Sequence, residues 1–381
     1  MVERLVVTLC SCVLIAASVF AAEKTGPWPK QPRGYSIPLI DLAGEKQRQV
    51  IVDKVPGQYL GHPTTVLLKD KKTILCVYPL GHGGPSAVLK KSVDGGLTWS
   101  ERLPVPENWK TARNCPCIHR LVGPDGVERL IVFEGLGAMR QSVSLDNGST
   151  WTPLEPNGLE CTVAPITIVA VEGGKRHLMW YHRGATIWQS SSSDGGLTWD
   201  RTKMICEVPG AFPCEPAVVR SPDGKQLLCL MREQERRLNS LMMVSDDEGK
   251  TWSEARELPG SLTGDRHMPR YAPDGRLVVV FRDMTHESTT RHRAFTAWVG
   301  TYDDIVKGRE GQYRVNLLYS KSRGEGDTGY AGLEILADGT FVATTYCALT
   351  EGEEPLIVSV RFTLQEIDAK AASQSGNAAT K

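Results

Sequence analysis

Acids, imidazoles and guanidinium groups recur at the edges of apolar segments along the whole chain. His62, His82, His119, Glu134, His182, Glu215, Arg232, Asp265, Arg266, His267, Arg282, Asp327 and Tyr330 all stand at or near the ends of such segments. Carboxyl and imidazole groups move protons near neutral pH, and a guanidinium forks a carboxylate. The set suits acid/base work and anion binding. Taken singly, each residue reads as a satisfied polar group or a solvated rim, so the crowd carries more information than any member. Five of the residues are histidines, yet no His-Glu-x-x-His spacing occurs. Cys115-Pro116-Cys117 sits one residue too close for the usual zinc pair. No metal and no cofactor are expected.

The elements that position these residues announce themselves by repetition. Ser-x-Asp-x-Gly-x-Thr-Trp occurs four times, with its aspartate at Asp94, Asp146, Asp194 and Asp247, spaced by 52, 48 and 53 residues. Each copy reads as a tight turn between strands. The aspartate accepts backbone N–H groups of its own turn, and the glycine supplies a positive φ. The threonine opens the returning strand, and the tryptophan packs beneath the turn. These aspartates are therefore structural. A period of about 50 residues with strand-like segments between copies predicts a propeller array.

Six units follow from that period. Their second strands are read at 73–78, 129–134, 177–182, 226–232, 277–282 and 341–346, and a degraded box is read at 298–304. The expected fold is all-β: a six-bladed β-propeller of four-stranded antiparallel blades with Asp-box turns. Residues 58–367 form it as one domain. Residues 23–57 are a lead-in whose alternating stretch Arg48–Asp53 is expected to close the ring, and 368–381 read as a disordered tail. In such a ring, functional residues belong near the starts of inner strands and the ends of second strands, where the residues above fall.

Residues 1–22 read as a cleavable secretory signal: Arg4, an apolar stretch from Leu5 to Phe20, then small residues. That implies a secreted or periplasmic protein, with no membrane insertion after cleavage. Lys plus Arg and Asp plus Glu number 44 each, so nothing favours nucleic acid or an anionic membrane as partner. Eight cysteines follow the signal; export permits disulfides, and buried free thiols are an equal reading.

From Gly61 to Phe362 the chain resembles the sialidase superfamily. Beyond the Asp-boxes, two segments carry the resemblance. Cys214-Glu215-Pro216-Ala217-Val218-Val219, with Asp223-Gly224 and a strand ending at Arg232, is similar to the segment bearing that family's glutamate and second carboxylate-binding arginine. Gly329-Tyr330-Ala331-Gly332-Leu333, with Asp338-Gly339, is similar to the segment bearing its tyrosine. The resemblance implies Tyr330 as nucleophile, Glu215 as its general base, and Arg232 on a substrate carboxylate. A tyrosine nucleophile is the known exception to two-carboxylate glycoside hydrolysis. The family's third arginine corresponds to Arg291, Arg293 or Arg282.

The chain departs from the family in the first blade. Where the family has Arg-Ile-Pro, this sequence has Gly61-His62-Pro63. The loop Pro79–Ser86, which carries the family's acid/base aspartate, holds no acid but does hold His82. His82 is then the expected acid, with His62 as its partner, while Asp265, Arg266 and His267 line the substrate. The expected function is exo-acting removal of a terminal acidic sugar, sialic acid or a related sugar acid, from glycans. The alternatives are a carbohydrate-binding propeller without turnover and a metal-dependent polysaccharide lyase on the same scaffold.

Overall fold

The computed structural model describes residues 32–200, 202–285, 293–322 and 327–378; the signal at 1–22 and Arg291 lie outside these. The second strand of each unit is the key to the architecture. Leu130 and Val132 pack toward blade 1, whereas Ile131 and Phe133 pack toward blade 3. Val278 and Val280 join the core shared with blade 6, while Val279 and Phe281 join that shared with blade 4. Successive side chains point to opposite faces of a strand. A strand sandwiched between two other sheets therefore needs an unbroken apolar run, which is what these segments have.

The sheets form a ring of six four-stranded antiparallel blades. Blade 3 is Ile168–Val171, Arg176–Arg183, Thr186–Ser192 and Lys203–Glu207. Blade 4 is Pro213–Arg220, Leu227–Glu233, Leu241–Ser245 and Arg256–Glu257. In blade 2 the run Glu128–Ser144 turns back at Gly137 (φ 92°) and supplies two strands between Cys117–Val122 and Glu155–Cys161. Blade 1 has Thr64–Leu67, Ile74–Pro79 and Ala87–Ser92; its outer edge is followed by Ser100 and Leu103, whose N–H groups donate to Lys91 and Leu89.

Both chain ends tie down blades 5 and 6. Gln49–Asp53 pairs antiparallel with Leu356–Phe362 as the outer strand of blade 6, beside Phe341–Cys347 and Gly332–Ile335. Leu39–Asp41 adds a fifth, parallel strand to blade 5 along Tyr313–Leu318; the lead-in showed no sequence signal for it.

The structure corrects two expectations. Residues Leu364–Ala378 form an α-helix rather than a disordered tail. Leu364 and Ile367 are buried, and Asp368 accepts two 2.8 Å bonds from Arg276. Alanine-rich composition favours helix once an apolar face has something to cover. The degraded fifth box is a short helix, Tyr302–Val306, closed by a Thr301/Asp304 capping box. All eight cysteines of the described residues are free and buried.

The four Asp-boxes are turns stapling one blade to the next. Asp194 accepts the Thr198 hydroxyl (2.5 Å), the Leu197 and Thr198 N–H groups (3.0 Å each) and the Ser192 hydroxyl (2.8 Å). Asp94, Asp146 and Asp247 repeat the pattern. Trp199 donates to Gln141 of the preceding blade at 3.2 Å, and Gln141 donates back to Gly196 O at 3.1 Å. Gly196 has φ 91°, and a Cβ there would come within 2.7 Å of Ile131 and Leu121, so the position requires glycine twice over.

Candidate active site

Inner strands begin at one mouth of the channel, and their first residues are bent into it. His62, Glu215 and Arg266 have φ of 51°, 50° and 55°. That conformation costs a non-glycine residue about 1–3 kcal/mol and persists where surrounding structure dictates it. Register shifts between Cys214 and Ala217 and between Asp265 and Met268 release Glu215-Pro216 and Arg266-His267 from their ladders. These bulges re-aim side chains that would otherwise follow strand alternation.

Tyr330, Glu215 and Arg232 converge there from blades 6 and 4. The Tyr330 hydroxyl donates to Glu215 Oε1. Arg232 Nη1 lies 3.0 Å from that hydroxyl and 3.3 Å from Glu215 Oε2. Burial raises the Glu215 pKa, but Arg232 and Arg266 outweigh it and hold the carboxyl at about 2. Burial and the Glu215 charge push the Tyr330 phenol well above its ordinary value. At rest the pair is therefore a neutral phenol hydrogen-bonded to a carboxylate, the arrangement for a general base beside its nucleophile. The Glu215 N–H donates to His182 Nδ1 at 3.2 Å, and burial lowers the His182 pKa to about 4, so that ring is a neutral acceptor.

A band of arginines surrounds the tyrosine. Asp265 receives Arg236 at 2.7 Å, Arg232 at 3.2 Å and Arg282 at 3.5 Å. Arg282 and Arg266 stand over the Tyr330 ring with guanidinium carbons 5.0 and 5.1 Å from its centroid. Arg266 is 1% exposed. It donates to Cys117 Sγ at 2.9 Å, and its Nη1 has no hydrogen-bond partner. Asp265 thus fixes the arginines rather than facing a substrate.

The His82 side of the mouth is wired by residues from three segments. Tyr59 Oη lies 2.9 Å from His82 Nδ1 and donates to Asp327 Oδ2 at 2.5 Å. With the single phenol proton on Asp327, His82 Nδ1 carries the proton toward Tyr59 and Nε2 is left for a ligand. Burial alone would raise the Asp327 pKa, but bonds from His82, Tyr59 and Tyr346 and the Arg282 charge bring it well below the carboxylate range. The Tyr346 hydroxyl bonds Asp327 at 2.7 Å and Arg282 at 2.6 Å. His62 packs at 4.7 Å from Tyr330 and 4.5 Å from His82 by ring centroids. Burial and the nearby His82 and Arg282 keep its pKa well below normal, so it is a neutral wall of the pocket.

A family model described as "BNR repeat-like domain" matches residues 180–355. A protein of unknown function from Dyadobacter fermentans superposes with TM-score 0.66 at 17% identity, covering 82% of this chain and 97% of that one. The leech intramolecular trans-sialidase gives 0.61 at 14% identity over 84% of this chain and 70% of its own. The NanB sialidase of Streptococcus pneumoniae gives 0.58 at 11% over 83% and 70%. The chain shares its propeller fold with these structures. Among curated proteins, vacuolar protein sorting/targeting protein 10 of Arthroderma otae is 32% identical over 95 residues, which is 25% of this chain and 6% of that protein.

Not every expected site residue joins the cluster. His267 does not line the pocket: it is fully buried in blade 5, stacked on Phe281 at 5.4 Å, with Nε2 bonded to Leu262 O at 2.8 Å. The bulge that turns Arg266 into the channel turns the next residue away from it. Arg293 sits at the start of the third strand of blade 5, its N–H on Asp283 O at 2.9 Å. Arg282 touches the Tyr330 environment. Sequence reasoning passed over Tyr59 and Tyr346. Tyr59 stands just before Gly61-His62-Pro63, and Tyr346 ends an apolar core strand. One signal was available: Tyr346 ends its second strand as Arg232 and Arg282 end theirs. Among the described residues no three His, Cys, Asp or Glu side chains are placed to hold a metal ion.

Proposed function

We propose that the protein is an exported, exo-acting glycoside hydrolase that removes a terminal acidic sugar, sialic acid or a related sugar acid, from glycans. The contact of Tyr330 with Glu215 under Arg232 carries this reading. Glu215 takes the phenol proton as the Tyr330 oxygen attacks the anomeric carbon, and the glycosidic C–O bond breaks. His82, protonated, gives its Nε2 proton to the departing oxygen, with Asp327 and Tyr59 orienting the ring. In the second half, His82 takes a proton from water, whose oxygen displaces Tyr330, and Glu215 returns the proton to the phenol. A neutral nucleophile suits a sugar that carries its own carboxylate at the reacting carbon. Arg232 and Arg282 meet that carboxylate. Export rests on residues 1–22 reading as a secretory leader.

The test is hydrolysis of aryl glycosides of sialic acid, uronic acids and neutral sugars by the chain following residue 22, beside Glu215→Gln. Cleavage of one acidic sugar, lost in the variant, is the expected result. Glycan binding with no cleavage of any substrate would overturn it. That outcome favours a binding propeller, the reading motivated by the missing acid in the loop 79–86.

A further inference from the structure

The channel has a second mouth. Four residues beyond Arg266 and Tyr330 on the same inner strands stand Arg270 and Glu334, about 13 Å further along at the rise of a strand. Arg266 is buried between the two ends and acts electrostatically on both Glu215 and His119. At the far end the inner strands of all six blades enclose a cavity of about 450 Å³. That volume lies within the roughly 300–1,000 Å³ of small-molecule sites.

The chemistry of this cavity is uneven. Ile166, Ile168 and Val218 of blades 3 and 4 make one wall apolar. The other arginines at the rim are neutralised: Arg120 meets Glu128 at 3.0 Å, and Arg220 pairs with Glu248. Arg270 is not. It donates to the carbonyl of Pro269 at 2.9 Å and touches the Met268 sulfur, and among the described residues no carboxylate lies within ion-pair distance of it. The nearest acid in the wall, Glu334, is buried and receives the Thr65 hydroxyl at 2.8 Å. Burial raises its pKa while the Arg270 charge lowers it, so the two groups interact across the cavity, but no salt bridge joins them. One guanidinium with spare donors therefore faces a half-apolar cavity without a salt bridge of its own.

We propose that the far mouth binds a small molecule through a single oxyanion group (carboxylate, sulfate or phosphate) held by Arg270, with its less polar body against blades 3 and 4. The site is separate from the Tyr330 pocket and stands whatever reaction that pocket performs. Sodium acetate, sulfate and phosphate are titrated into the full chain against sodium chloride at matched ionic strength, with binding read by calorimetry and by melting temperature. At least one of the three should bind saturably. Arg270→Gln should weaken it by about tenfold or more, the loss of one charge-assisted fork. Arg270→Lys keeps the charge and should fall between; it also serves if the glutamine variant fails to fold. Which anion binds tightest tells a carboxylate ligand from a sulfated or phosphorylated one. No saturable binding by any of the three, or unchanged binding in both variants, overturns the proposal. So does a crystal soaked in the binding anion that places it away from Arg270.

Discussion

At the resting site the proton sits on Tyr330 and the charge on Glu215, and both features follow from neighbours rather than from the two residues themselves. Tyr330→Phe and Glu215→Gln should each lower kcat by about 10²–10⁴-fold on the substrate identified, with Tyr330→Phe folded normally by circular dichroism. If His82 is the acid, His82→Ala should lose far more rate on substrates with poor leaving groups than on activated aryl glycosides. Equal loss on both would remove that role. Arg266, beside Glu215 together with Arg232, His182 and Tyr330, lowers the carboxyl pKa. Arg266→Met should therefore move the acid limb of kcat/KM to higher pH. Folding carries the same signature. The Glu215 pKa falls from 4.5 to about 2 in the fold, so its ionised form contributes stability above 4.5 that is lost as pH drops toward 2. The melting temperature of Glu215→Gln should be flatter than that of the parent over that range.

At the scale of elements, the Asp-box turns act as staples between blades. Asp194→Ala removes the acceptor of four donor groups and leaves the turn N–H groups to water. A cost of about 1–3 kcal/mol is expected, read as a lower melting temperature with unchanged kcat for the folded fraction. A folded variant of normal stability that had lost turnover would instead make Asp194 functional. The bulges at the heads of the inner strands work in the opposite sense: they hold Glu215 and Arg266 in a strained conformation so that their side chains reach the channel. Strand segments were legible because a strand between two sheets needs apolar residues on both faces. The bulges were not, since a ladder shifted by one residue has the same composition as a regular one.

For the whole molecule, closure of the ring depends on chain ends about 300 residues apart in sequence meeting in blade 6. A chain beginning at residue 54 lacks Gln49–Asp53 and leaves Leu356–Phe362 as an open edge, a template for association. It should elute as aggregate by size-exclusion chromatography where the full chain does not.

The sequence by itself determined the repeat, the number of blades, the turn chemistry of the boxes and the resemblance that singled out Glu215, Arg232 and Tyr330. Those signals are local: a period, a turn that needs Gly and Asp, a short motif. Tertiary structure alone decided that Arg282 and Arg266 flank the tyrosine while His267 turns away, and that Asp327, Tyr59 and Tyr346 wire His82. It also decided that residues 364–378 form a helix against blades 5 and 6. Each of these depends on side chains from distant segments being brought within a few ångströms by ring closure. No pattern along one strand encodes what the neighbouring blade will place opposite it.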